Sequence, residues 1–228
     1  MTILVLGLVI FLGLHSTRLV SETGRERAIA RIGEGPWKGI YSALSAIGFV
    51  LIVWGFSRAR YAAPQLWTPP TWARHITMLL MLVALILFAG FLFKRSHIAV
   101  IAHHPMLWSV LLWSTGHLFA NGSAADLLLF GPFLVWSAAD LASSYARDRR
   151  DGVVYPEPQL SATAGAVVVG LVVYALLIGG LLSGCSACRR SRCEAFASIS
   201  GRLGSGAGNS LRSPARRPGI PCRACVAR

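Results

Sequence analysis

Apolar residues in this chain gather into six long blocks, at 2–20, 39–57, 75–93, 105–120, 124–143 and 162–183, with polar and turn-forming residues between them. A bilayer's hydrocarbon core is ~30 Å thick and takes ~20 mainly apolar helical residues to cross. The pattern predicts an all-α, polytopic transmembrane helix bundle of about six spans. The third block is the most apolar; the first runs without interruption from Ile3 to Leu14. Between blocks, Trp67-Thr68-Pro69-Pro70-Thr71-Trp72 cannot continue a helix, because proline lacks the amide hydrogen and crowds the preceding turn. Asn121-Gly122 reads as a tight turn, and Tyr155-Pro156-Glu157-Pro158 as an extended connector. The first block is expected to stay as a span. It has no basic residues ahead of it, and Leu14-His15-Ser16-Thr17 is a poor match to a small-residue cleavage site.

Composition narrows the class. Hydrophobic residues make up 54% and charged residues 14% of the 228, against roughly 25% charged in a soluble domain, and the mean hydropathy is +0.59. A soluble domain, a wholly disordered chain and a nucleic-acid binder are excluded, because the apolar residues lie in blocks. The net charge is +13, and its distribution carries topology. Loops after blocks one, three and five hold Arg18, Arg25, Arg27, Arg31, Lys38, Lys94, Arg95, Arg147, Arg149 and Arg150. The opposite loops hold only Arg58, Arg60 and Arg74. Basic loops stay inside, so the amino terminus is expected outside the cytoplasm. An even number of spans then returns the carboxyl end to that side. The expected partner is the lipid bilayer of a cell membrane, crossed several times.

The last 44 residues are different. All five cysteines, nine arginines and a single acid, Glu194, lie after Gly184. The chain is read as a cysteine-free membrane domain, 1–184, and a tail, 185–228, that is disordered or translated out of frame. Such a composition cannot bury enough apolar surface to offset chain entropy. A four-thiolate zinc site from Cys185, Cys188, Cys222 and Cys225 is permitted by spacing, but no strand or turn pattern joins the two pairs.

Ionisable groups kept in lipid mark function. Of the six histidines, His75 and His97 sit at block edges, where amphipathic rings favour the interface. His103 and His104 precede Pro105, a helix start. His15 and His117 lie within apolar blocks, and Trp113 shares His117's face one turn earlier. Two such imidazoles are either packing residues or axial ligands of a haem held between helices. A rise of 1.5 Å per residue puts them roughly 8 Å apart in depth. Asp126 is expected to cap the fifth block, and Asp140 either to pair with Arg147 or to serve as a proton relay. Arg18 is expected either to anchor the interface or to pair with a haem propionate.

Several motifs in order resemble the NnrU family of bacterial membrane proteins: Gly13-Leu14-His15-Ser16-Thr17-Arg18; Gly33 to Ser42; His104-Pro105-Met106-Leu107; Gly116 to Gly122; and Gly152-Val153-Val154-Tyr155-Pro156. The resemblance covers about 1–183 and implies a bacterial inner-membrane protein linked to nitric oxide and nitrite metabolism. A related carotenoid isomerase is a haem b enzyme. Its ligand motifs match His15-Ser16 and Trp113 to His117, which implies haem b on His15 and His117, with Arg18 and His104 around it. The isomerase's cysteine is Ser114 here. Three other functions compete: a cofactor-free accessory protein that assists a nitrite or nitric oxide reductase, a carotenoid-type isomerase, and an isoprenylcysteine-type methyltransferase, with His103 in the arginine position of its Arg-His-Pro.

Overall fold

The computed structural model describes residues 1–180, almost all in one compact unit, Met1–Ile178. The tail, with its proposed zinc cysteines, lies outside the described residues. The helices are α1 (Thr2–His15), α2 (Thr17–Val20), α3 (Glu22–Ile32), α4 (Glu34–Ala62), α5 (Thr71–Leu92), α6 (His97–Ala102), α7 (Pro105–Ala120), α8 (Ala124–Asp151) and α9 (Leu160–Gly180). The all-α transmembrane bundle is what forms, but six full-length spans are not. Four helices, α4, α5, α8 and α9, are long and apolar enough to cross a membrane. The fourteen residues of α1 and sixteen of α7 reach about 21 and 24 Å, short of the ~30 Å core. The first block is bent at its polar end. There the Ser16 and Thr17 hydroxyls donate to the Leu12 and Leu14 carbonyls at 2.6 and 2.8 Å, offering the backbone an alternative to a straight helix.

Glycines set the tightest packing. Helix α1 lies along α4, and a Cβ on Gly55 would fall 2.5 Å from the Leu4 nitrogen, one on Gly7 2.7 Å from the Ile52 nitrogen. Only a missing side chain allows backbones this close. Helix α8 then packs on α1 and α4 as well as α7, while α5 packs on α7. Helix α9 lies on α5, with Gly165 against Phe93 and Gly170 against Ile86. Leu4, Leu8, Ile52, Ala125, Leu129 and Phe130 form a buried core away from the arginine-rich end. Large apolar side chains such as Val9, Val50 and Val135 stay exposed, as lipid-facing positions do.

Two helices form where the sequence pattern predicts loops. Ser21 accepts from the Gly24 amide at 3.0 Å and starts α3, and Ser96 accepts from the Ala99 amide at 3.1 Å and starts α6. Serine is a strong helix cap for this reason. Asp126 does secure the start of α8, as the acid of a capping box with Ser123 rather than as the cap itself. The expected Asp140–Arg147 ion pair forms, at 3.6 Å.

Candidate functional site

Register places His15. Because Gly55 meets Leu4 and Gly48 meets Phe11, the next turn of α1 carries His15 to Tyr41 of α4, with ring centroids 5.5 Å apart. Helix α8 contributes Trp136, edge-on to His15 at 6.1 Å. The His15 Nδ1 lies 2.7 Å from the Phe11 carbonyl oxygen. A carbonyl can only accept, so Nδ1 carries a proton, and in the neutral ring the lone pair is on Nε2. Nε2 makes no hydrogen bond to protein among the described residues. Fixing one ring nitrogen to a backbone carbonyl is how metal-binding histidines are oriented.

His15 lines a cavity of about 380 Å³ at the arginine-rich end, within the ~300–1,000 Å³ of ordinary ligand pockets. Tyr41 and Trp136 share its wall with Arg18, Lys38 and Arg147. Lys38 pairs with Glu34 at 2.7 Å and Arg18 with Glu22 at 3.5 Å, both on the exposed side. Trp136 Nε1 is buried without a partner, a donor left over after the helices have packed.

His117 is placed differently. Its Nδ1 donates to the Trp113 carbonyl at 2.9 Å, repeating the His15 arrangement. Its ring stacks on Phe130 at 4.6 Å and lies 5.4 Å from Trp113. Phe130 and Trp136 are six residues apart on α8, about 9 Å along the axis, so the two histidines sit at different depths of one interior. Between them runs a file of rings: Phe11 to Phe133 at 5.9 Å, and Phe133 to Trp113 at 5.5 Å. In this packing the Phe11, Phe133 and Trp113 rings lie between the two imidazoles, so His15 and His117 do not face each other across an open space. The chemistry of the cavity's lining, an imidazole with an unbonded Nε2, aromatic rings and basic side chains, suits a porphyrin. Ser114 is fully buried, its hydroxyl donating to its own helix at Val110 and Leu111.

His104 belongs to a second cluster. Its Nε2 donates to Asp148 at 2.8 Å, and the Tyr155 hydroxyl donates to the same carboxylate oxygen. The Tyr145 hydroxyl donates to the Ala102 carbonyl at 2.8 Å and accepts from Trp108 at 3.1 Å. His103 stacks on Tyr155 at 4.1 Å, with a left-handed φ of 57°, a conformation that costs energy for a residue with a Cβ. Burial, and then the bond to Asp148, push the Tyr155 phenol up to about 12. The cluster ties the α6–α7 elbow to α8 and the connector that follows it.

The structure thus brings His15 and Arg18 to one cavity and sends His117 and His104 elsewhere. Sequence reasoning missed Tyr41 and Trp136. Tyr41 lay inside a quoted motif, and Trp136 four residues before Asp140 on the same helix. No group of three or more His, Cys, Asp or Glu able to hold a bare metal ion occurs among the described residues. A family model described as NnrU protein matches residues 3–186. No curated protein and no solved structure matches the chain.

Proposed function

From the premise that the chain belongs to the NnrU family, we propose that it is a haem b protein of the bacterial inner membrane, with His15 as the iron ligand. The free Nε2 of His15 on the wall of the arginine-rich cavity carries this reading. Haem b is an apolar disc with two carboxylates. Tyr41, Trp136 and Met106 offer the disc apolar and aromatic walls, and Arg18, Lys38 and Arg147, each paired with a carboxylate of the chain, line the same cavity as cations that the haem carboxylates would share. Bound haem would supply an iron centre able to take up a small nitrogen oxide or an electron, in keeping with the family resemblance to nitric oxide and nitrite metabolism.

The chain's own residues have definable parts. The Phe11 carbonyl keeps the proton on Nδ1, so Nε2 remains a lone-pair donor. The Phe11 ring, stacked on the imidazole at 4.2 Å, fixes its plane. His117 serves the packing of Trp113 and Phe130, outside the ligand set.

Purification of the full chain followed by an optical spectrum, with added haemin where needed, tests the reading. A Soret band is expected that is lost in His15→Ala and kept in His117→Ala. A wild-type protein without the band, or a band unchanged in His15→Ala, overturns it. Co-purification of an unpigmented chain with a nitrite or nitric oxide reductase favours an accessory role.

A further inference from the structure

A second cavity, of about 410 Å³, opens beside the first between the bend of α1 into α2, helix α3 and the start of α4. Gly13, Ser21, Gly24, Arg25 and Trp37 form its walls. We propose that this groove holds one anionic phospholipid of the leaflet that the arginine-rich end meets, with its phosphate at Arg25. The proposal is independent of the haem reading.

The first support is charge. Arg25 is half-buried between the two cavities, and no carboxylate lies within ion-pair distance of it among the described residues. Its neighbours Arg18 and Lys38 each have a glutamate, and Arg147 has Asp140. Glu34 acts on Arg25 only through space, without contact. A half-buried guanidinium with no hydrogen-bonded counter-charge is costly, and a phosphate matches its planar fork with paired hydrogen bonds. Ser21 adds a hydroxyl, whose oxygen accepts from Gly24 while its own hydrogen has no protein acceptor.

Shape is the second support. Gly13 is exposed, and a Cβ there would meet nothing within 4 Å. The α1 surface beside it is open and apolar, with Leu6 and Val9 54% and 65% exposed. The groove therefore runs from a bare strip of helix at hydrocarbon depth to a cation at the interface. That gradient suits an acyl chain and its headgroup. A free phosphate would leave the apolar part uncovered, and a choline headgroup would bring a second cation into a groove whose lining holds Arg25 and no carboxylate. Trp37 lies at the first turn of α4, where an indole favours the interface.

The test is native mass spectrometry of the full chain in detergent, with dioleoyl phosphatidylglycerol and dioleoyl phosphatidylcholine added in equal amounts. One phosphatidylglycerol adduct is expected in preference by about fivefold, the ratio that a single interfacial cation supplies. Arg25→Gln should bring the ratio close to one, and Arg25→Lys should retain part of it. Gly13→Leu, which fills the strip without touching charge, should weaken both adducts. Arg27→Gln, on exposed α3 surface, should leave the ratio unchanged. Circular dichroism confirms that each variant is folded. A preference that survives Arg25→Gln, or falls equally in Arg27→Gln, overturns the proposal; so does displacement of the adduct by millimolar inorganic phosphate. A chain without a Soret band would leave these results unaffected.

Discussion

The His15 ring lies against Phe11 with centroids 4.2 Å apart and planes at 29°, and its Nδ1–H donates to the carbonyl of that same residue at 2.7 Å. One residue thus fixes both the tautomer and the orientation of the imidazole. The backbone bond survives any substitution of the Phe11 side chain, and the stack does not.

Phe11→Ala is therefore expected to weaken haemin binding while leaving it dependent on His15. It should also lower stability by about 2 kcal/mol, less than the ~3–5 kcal/mol of a fully buried phenylalanine, because Phe11 is half-buried. Optical titration with haemin and thermal unfolding in detergent measure the two effects. Unchanged binding would mean that the ring is only filler.

Gly55 and Gly39 lie on the same helix in opposite circumstances. A Cβ at Gly55 would sit 2.5 Å from the Leu4 backbone nitrogen; one at Gly39 would meet nothing within 4 Å. Gly55→Ala is expected to cost about 1–3 kcal/mol as α1 is pushed off α4. Gly39→Ala should gain about 0.5–1 kcal/mol from helix propensity. Thermal midpoints of the two variants should move in opposite directions.

Tyr155 predicts a pH dependence at the alkaline end. Its phenol has a usual value of 10.0 and is pushed up to about 12 in the fold, by burial and by its bond to Asp148. Below pH 10 the phenol is neutral in both folded and unfolded chains, and its contribution is fully present. Between pH 10 and 12 the unfolded chain releases the proton and the folded chain keeps it, so this contribution falls as pH rises. The stability difference between wild type and Tyr155→Phe should be flat from about pH 6, where Asp148 is fully ionised, to pH 10 and shrink above it. A difference that stays constant to pH 12 would show that the bond to Asp148 does not hold the proton.

Much of the bundle was readable along the chain, because lipid forces apolar residues into blocks and backbone groups into helices. Local signals also read correctly: Asp126 at a helix start, Pro105 at the first turn of α7, and Asp140 one helical stretch from Arg147. Helix α3 was missed although Ser21 stands at its start. A short, arginine-rich amphipathic segment has little apolar content to announce it.

The sequence by itself determined that this is a membrane helix bundle of the NnrU family, and it singled out His15 and His117 as the imidazoles within apolar helices. Their relation was decided by tertiary packing. Spacing within each helix fixes a side chain's depth and face, but not what fills the space between helices. The glycine contacts of α1 with α4 set His15 opposite Tyr41, and the register of α8 set Phe133 between Phe11 and Trp113. Those rings part the two histidines and leave only His15 on the open cavity, because interhelical distance depends on side-chain volumes summed from four helices at once.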